Sequence, residues 1–311
     1  MIYKTGVKKD ESMGGMKTMK QNETKSTVKW IEAAVGTFVL GYGLHYLAYF
    51  LRARYFTWLD GLGLEEALGH ALQYMGHLFF LAIMVLYVLA VRKDRKYLTV
   101  LFTDKPGRNL KFAVLGALTG LAMMGICILA ASLNGNLTIT PAAGISFPLL
   151  LLSIVAVILQ ASIEELESRS LVFGRMRDQG VPMGPAVVIS AFYFSYLHAA
   201  NPGFGWLPLF SIFVVGILYA LCYHYFGNLW FVCMAHMMWN FTQDFIFGLP
   251  DSGKPAALSF FNSETHGSGF FYDEAFGIEG SWMAILVNIA ACVIVVLIGR
   301  HMRKKQAAVI E

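Results

Sequence analysis

A run of about 20 apolar residues is long enough to cross the hydrocarbon core of a bilayer. This chain carries about eight such runs, at roughly 30–51, 70–91, 110–133, 147–171, 184–200, 206–227, 228–248 and 281–300. The fifth is short, and the sixth and seventh are parted only by Phe226-Gly227-Asn228. Hydrophobic residues make up 57% of the chain and charged residues 14%, with a mean hydropathy of +0.57. That excludes a soluble domain of ordinary composition. The sequence predicts an all-α fold, a polytopic membrane helical bundle of about eight transmembrane helices.

Basic residues orient the bundle. Lys4, Lys8, Lys9, Lys17, Lys20, Lys25 and Lys29 precede the first run, and Arg92, Lys93, Arg95, Lys96, Lys105, Arg108 and Lys111 follow the second. Arg175 and Arg177 follow the fourth, and Arg300, Arg303, Lys304 and Lys305 follow the eighth. Only Arg52, Arg54 and Lys254 fall on the alternate side. Basic loops stay inside, so both termini are expected in the cytoplasm of a multi-pass cell-membrane protein. The net charge of +4 is accounted for by these flanks, whose partner is membrane lipid and not nucleic acid. Residues 1–28 read as a disordered cytoplasmic arm, 29–305 as one transmembrane domain and 306–311 as a tail. Cys127, Cys222, Cys233 and Cys292 fall within spans at neither metal nor disulfide spacing, and are read as packing residues.

Against this apolar background stands Gln160-Ala-Ser-Ile-Glu-Glu-Leu-Glu-Ser-Arg-Ser170. Ionisable groups at membrane depth are costly, so the default reading is a functional site with partners on other helices. On a helix Glu165 and Arg169 pair at i, i+4, while Glu164, about 100° round, is left free. Two further apolar runs carry polar faces: Phe194 with His198, and His236 with Asn240. At 1.5 Å per residue Glu164, His198 and His236 lie roughly 12 to 21 Å into the membrane and can meet.

A free carboxylate at Glu164 is suited to take a proton from water, and His236 with Asn240 can hold a developing oxyanion. That chemistry suits amide hydrolysis by activated water. Glu164, His198 and His236 would equally serve as three ligands of a catalytic Zn2+, with Glu165 as base. The lack of two His on one helix turn tips the reading toward the metal-independent mechanism. His45 reads as a packing histidine. Glu66, His70 and His77 have metal-like spacing, but Glu65 and Glu66 are placed in a short outer loop at the start of the second run, where an acid suits a helix N-terminus. Phe260-Phe261 and Phe270-Phe271-Tyr272, in the acidic stretch 249–280, read as interfacial anchors. Gly116-x-x-x-Gly120 reads as a helix-packing motif.

Glu164-Glu165-x-x-x-Arg169, Phe194-x-x-x-His198 and His236-x-x-x-Asn240, in that order on successive helices, resemble the CPBP (Abi) family of intramembrane peptidases, which includes the CAAX prenyl endopeptidases. The resemblance covers about residues 147–245 and implies a catalytic core there, in a helical bundle whose cavity opens to the inner side. It implies that Glu164 is the water-activating acid, Glu165 and Arg169 its supporting pair, and His198, His236 and Asn240 the remaining catalytic set. Ser170, where many members have Gly, and the additional acid Glu167 depart from the pattern. The implied substrate is a membrane-associated peptide or protein, with prenylated and bacteriocin-like peptides both open. The alternative is a non-catalytic immunity or binding protein of the same fold. A proton-relay transporter is disfavoured because no repeats or broken helices are visible.

Overall fold

In lipid the backbone must bond to itself, which makes each apolar run a helix, and 74% of the chain is helical. The computed structural model describes the backbone of residues 11–144 and 146–310 and the side chains of 27–144 and 146–305. Of the arm expected over 1–28, residues 1–10 lie outside the described residues, as does Glu311 of the tail.

The helices are α1 (Glu11–Asp60), α2 (Glu66–Met75), α3 (Leu78–Ala90), α4 (Lys96–Thr99), α5 (Pro106–Leu133), α6 (Phe147–Glu165), α7 (Arg175–Asp178), α8 (Met183–Tyr196), α9 (Trp206–Phe226), α10 (Leu229–Phe241) and α11 (Trp282–Ile310). A π-helical stretch, Leu166–Gly174, joins α6 to α7, and a second, Thr242–Ile246, prolongs α10. Among the described residues six helical segments are long and apolar enough to cross a membrane: Thr27–Asp60, Glu66–Ala90, Pro106–Leu133, Phe147–Asp178, Trp206–Phe226 and Trp282–Lys305.

The other two expected spans are shorter helices, α8 of 14 residues and α10 of 13. α8 keeps one exposed stripe, Val188, Phe192 and Tyr196, whereas α10 is a helix of the interior. α10 is buried on nearly every side, from Leu229 and Phe231 to Asn240 and Phe241. It therefore packs against protein and need not match the lipid thickness.

Small residues let α10 sit deep. A Cβ at Gly116 of α5 would meet the carbonyl of Phe231, and one at Gly120 the carbonyl of Ala235, so the motif read from sequence brings α5 and α10 into backbone contact. Gly227, in the left-handed region at φ 58°, ends α9 and lets the chain turn into α10 within two residues. Apolar side chains such as Val39, Leu86, Leu118 and Leu297 form an exposed lipid-facing collar.

The bundle has two distinct ends. At one, Arg108 donates to the carbonyl of Phe226 at 2.8 Å, Tyr97 to Asp178 at 2.8 Å, Arg175 pairs with Asp94, and Arg303 lies 2.5 Å from His224. At the other, β1 (Leu137–Pro141) pairs antiparallel with β2 (Phe261–Thr265), and Tyr55 donates to the carbonyl of Leu72 at 3.0 Å. Residues 247–281 fold back over this second end. They bury Asp251, Ser252, Tyr272, Phe276 and Ile278, while Phe260 and Phe270 stay exposed. The expected interfacial anchors are thus divided. Phe261 is taken into the strand and Tyr272 into the core of the bundle, where it packs in one cluster with residues of α5, α9, α10 and α11.

Candidate active site

Glu164 and Glu165 end the α-helical part of α6, and the chain then widens into the π stretch that carries Glu167 and Arg169. A π turn inserted in an α-helix turns successive side chains to new directions and recurs at functional sites. Glu165 Oε2 lies 3.1 Å from Arg169 Nε, and both side chains are fully buried. The guanidinium stacks 4.2 Å above the Phe194 ring and 5.3 Å from that of Tyr219. A buried acid and base in this arrangement offset each other's desolvation only while both remain.

Glu165 Oε1 accepts from His236 Nδ1 at 2.9 Å. That bond assigns the ring proton to Nδ1 and leaves Nε2 facing inward, where Asn240 Nδ2 lies at 3.3 Å and Glu164 Oε2 at 3.8 Å. Asn240 also donates to Gln160 Oε1 at 3.2 Å. Among the described residues Glu164 Oε2 is buried without a hydrogen-bond partner. His198 follows the end of α8. Its Nδ1 donates to the carbonyl of Phe194 at 2.9 Å, which leaves Nε2 available, and the residue lines one cavity with Glu164, Gln160 and Asn240.

The six residues singled out from sequence therefore lie on one wall, five of them joined by direct contacts and His198 sharing the cavity. Glu164 is not free, however. Its Oε1 lies 3.0 Å from His77 Nε2. His77 stands where the second span breaks between α2 and α3, and its Nδ1 donates to the carbonyl of Tyr74 at 2.9 Å, which aims Nε2 at the site. Arg52 Nη1 lies 2.9 Å from the same nitrogen. One Nε2 cannot accept from Arg52 and donate to Glu164 in the same protonation state. His77 therefore has two settings: neutral and held by the guanidinium, or protonated and donating to the carboxylate.

His77 falls within the expected second span, but the reading that set aside the Glu66, His70 and His77 spacing missed its contact with Glu164. The depth rule that picks out Glu164 applies equally to His77 and Arg52, and was the available signal. His70 does not join the site. Its Nε2 bonds Asp244 at 2.8 Å, beside a Tyr74 hydroxyl 2.7 Å from Asp244 and 2.6 Å from Asp251. His45, read as a packing residue, hydrogen-bonds Glu167 at 3.0 Å, and Tyr193 donates to the same acid at 2.5 Å. The additional acid is thereby taken up in holding α1, α8 and the π stretch together.

A zinc ion would need Glu164, His198 and His236 to converge. His236 Nε2 and Glu164 Oε2 are 3.8 Å apart, close to the roughly 3.4 Å that separates two ligands of a tetrahedral zinc. Among the described residues, though, no three His, Cys, Asp or Glu side chains gather at metal-binding distance. The trio does not close round one ion in this arrangement.

Fold and cluster together define an all-α polytopic membrane protein with a buried Glu-His-Asn site inside its bundle. Residues 146–242, from the start of α6 into the second π stretch, match the family of type II CAAX prenyl endopeptidase Rce1-like proteins. The match covers about a third of the chain, the part that holds Glu164, Glu165, Arg169, His198, His236 and Asn240, and is a likeness to that family. No curated protein and no solved structure matches the chain.

Proposed function

We propose that the protein is an intramembrane endopeptidase that hydrolyses a peptide bond of a membrane-associated substrate with water activated by Glu164. The observation that carries this reading is the orientation of Glu164. One carboxylate oxygen is held by His77, and the other is buried without a partner, 3.8 Å across from His236 Nε2. A water bridging those two atoms can hand its proton to Glu164 and attack the substrate carbonyl.

The resulting oxyanion takes a hydrogen bond from Asn240. Its two amide contacts, 3.2 and 3.3 Å long, are both weak enough to be exchanged at little cost. Collapse of the tetrahedral intermediate breaks the C–N bond. Glu164 returns its proton to the leaving amine, and a carboxylic acid and an amine are released. Glu165 and Arg169 do not touch the substrate in this scheme; they hold His236 in its tautomer. The enzyme works as a multi-pass protein of the cell membrane with the basic end of its bundle in the cytoplasm.

The test is cleavage of membrane peptides in cells producing the wild-type chain or Glu164→Ala, His198→Ala or His236→Ala. Each substitution should lower cleavage by at least about 100-fold, while the purified variants keep the elution and melting behaviour of the folded protein. Identical membrane peptides in wild-type and Glu164→Ala cells would instead support the binding or immunity protein. The mechanism is taken as metal-independent because no second His stands one helix turn from His198 or His236. Purified protein should hold well under one zinc per chain and keep its activity through prolonged chelation. Stoichiometric zinc, with activity lost on stripping and restored by its return, would recast Glu164, His198 and His236 as ligands.

A further inference from the structure

Beside the catalytic cluster, two acids stand on either side of one tyrosine. His70 and Tyr74 are one turn apart on α2, Gln243 and Asp244 lie in the π stretch that prolongs α10, and Asp251 lies in the segment that folds over the bundle. The Tyr74 hydroxyl is 2.7 Å from Asp244 Oδ2 and 2.6 Å from Asp251 Oδ2, and all three residues are buried. His70 Nε2 lies 2.8 Å from the same Asp244 oxygen, and Gln243 Nε2 donates to Asp251 Oδ1 at 2.8 Å.

A phenol has one hydrogen and can donate it to one carboxylate, not to both. The second short contact therefore needs a proton from an acid: either Asp251 or Asp244 is protonated and donates to the Tyr74 oxygen. Two ionised carboxylates this close in a buried site would also repel each other. Burial, with the Asp244 charge beside it, pushes the Asp251 carboxyl up from its ordinary value, and Lys254, His236 and Glu279 also reach it with their charge. Among the described residues Asp244 Oδ1 is buried without a hydrogen-bond partner, which favours an uncharged acid there as well. The proton can change sides with no side chain moving. As Asp251 gives it to the Tyr74 oxygen, the hydroxyl hydrogen passes to Asp244 Oδ2.

The two ends of this series face different spaces. Asp251 and Tyr74 line the catalytic cavity with Glu164 and His198. His70 lines a separate depression at the α1–α2 turn, with the exposed Asp60, Gly63 and Glu66. All four relay residues lie outside residues 146–242, the part that resembles the endopeptidase family.

We propose that Asp251, Tyr74, Asp244 and His70 form a proton relay between the catalytic cavity and this depression, which removes the proton of the carboxylic acid that hydrolysis produces. That load rests on the peptidase reading; the proton shared by the two acids does not. A bound peptide fills the cavity and leaves the new acid without an aqueous exit. In one passage Asp251 protonates Tyr74 as Tyr74 protonates Asp244. With His70 in its Nδ1–H tautomer, Asp244 then gives a proton to Nε2, and the ring releases one from Nδ1 to water in the depression. Exchange with that water restores the tautomer. The Asp251 carboxylate takes up the product's proton, which returns the relay to its starting state with a carboxylate product and one proton outside.

Two measurements decide it. Infrared spectra of the purified protein near neutral pH should show a protonated carboxyl C=O band that Asp251→Asn diminishes and Tyr74→Phe shifts. Tyr74→Phe keeps the ring, which packs against His70 and Phe245, and removes the shared oxygen. A band identical in all three proteins would overturn the shared proton. On a peptide that accumulates in Glu164→Ala membranes, Tyr74→Phe should lower kcat by about 10-fold or more at unchanged KM. His70→Ala should do the same and regain its rate when imidazole is added to the buffer. An unchanged kcat in Tyr74→Phe, or a His70→Ala loss that imidazole leaves in place, would overturn the relay. If the wild-type chain cleaves no peptide, the peptidase reading and the relay's load fall together, and the infrared bands still decide the shared proton.

Discussion

His236 shows how much one side chain's chemistry depends on the neighbours that hold it. Its inward nitrogen is set by Glu165, and Glu165 is in turn held by Arg169, fully buried between Phe194 and Tyr219. Removing the cation leaves a buried acid uncompensated. Arg169→Ala should therefore cost about 3–5 kcal/mol of stability and most of the activity. Arg169→Lys keeps the charge, loses the stacked planar fork, and should fall between Ala and wild type. Melting temperature in detergent and cleavage rate read both effects; an Ala variant equal to wild type would mean that the pairing does nothing. His77 makes a second case. If it positions the Glu164 carboxylate, His77→Ala should slow cleavage by about 10- to 100-fold with the fold retained. An unchanged rate would remove it from the site.

Among the elements, α10 carries the decisive positioning, because it is the wall that presents His236 and Asn240 to α6. Its depth is set by the absence of side chains at Gly116 and Gly120 on α5. Gly120→Ala should push α10 away from α5 at a cost of about 1–3 kcal/mol and reduce cleavage by widening the gap between His236 and Glu164. Gly125 lies on the same helix with open space around its Cα, so Gly125→Ala should stay within about 0.5 kcal/mol of wild type. Equal behaviour of the two variants in thermal melts would show that close approach at Gly120 does not set the position of α10. The break between α2 and α3 plays a similar part, standing where His77 reaches Glu164.

For the molecule as a whole, the segment 247–281 is the cover over the end of the bundle that carries the β1–β2 pair. Glu279 is the clasp: it accepts from Trp239 of α10 at 2.7 Å and from Ser252 at 2.5 Å. Burial, with the charge of Asp251 behind it, pushes its carboxyl up to about 7. In the unfolded chain a glutamate titrates near about 4.3, so the folded state holds this proton more tightly. Its contribution to stability is complete below that value and is lost as pH rises toward 7. Wild type should melt at progressively lower temperature between pH 5 and pH 8, whereas Glu279→Gln, uncharged throughout, should show a flatter profile. Parallel profiles would remove Glu279 as the source of the slope.

The all-α membrane class, the two polar ends and the Glu165–Arg169 pairing were legible in the sequence, because lipid demands long apolar helices and a helix puts residues four apart on one face. That Glu164, His198, His236 and Asn240 would gather was legible for a related reason: charges and imidazoles at membrane depth are too costly to stand alone. Several features were decided only by tertiary structure. One was the seating of α10 as an interior helix, which follows from backbone contact with α5. Another was the recruitment of His77 and Arg52, which depends on a helix break and on the crossing of α1 over it. Spacing along one helix cannot encode these, because each is a relation between elements distant in the chain.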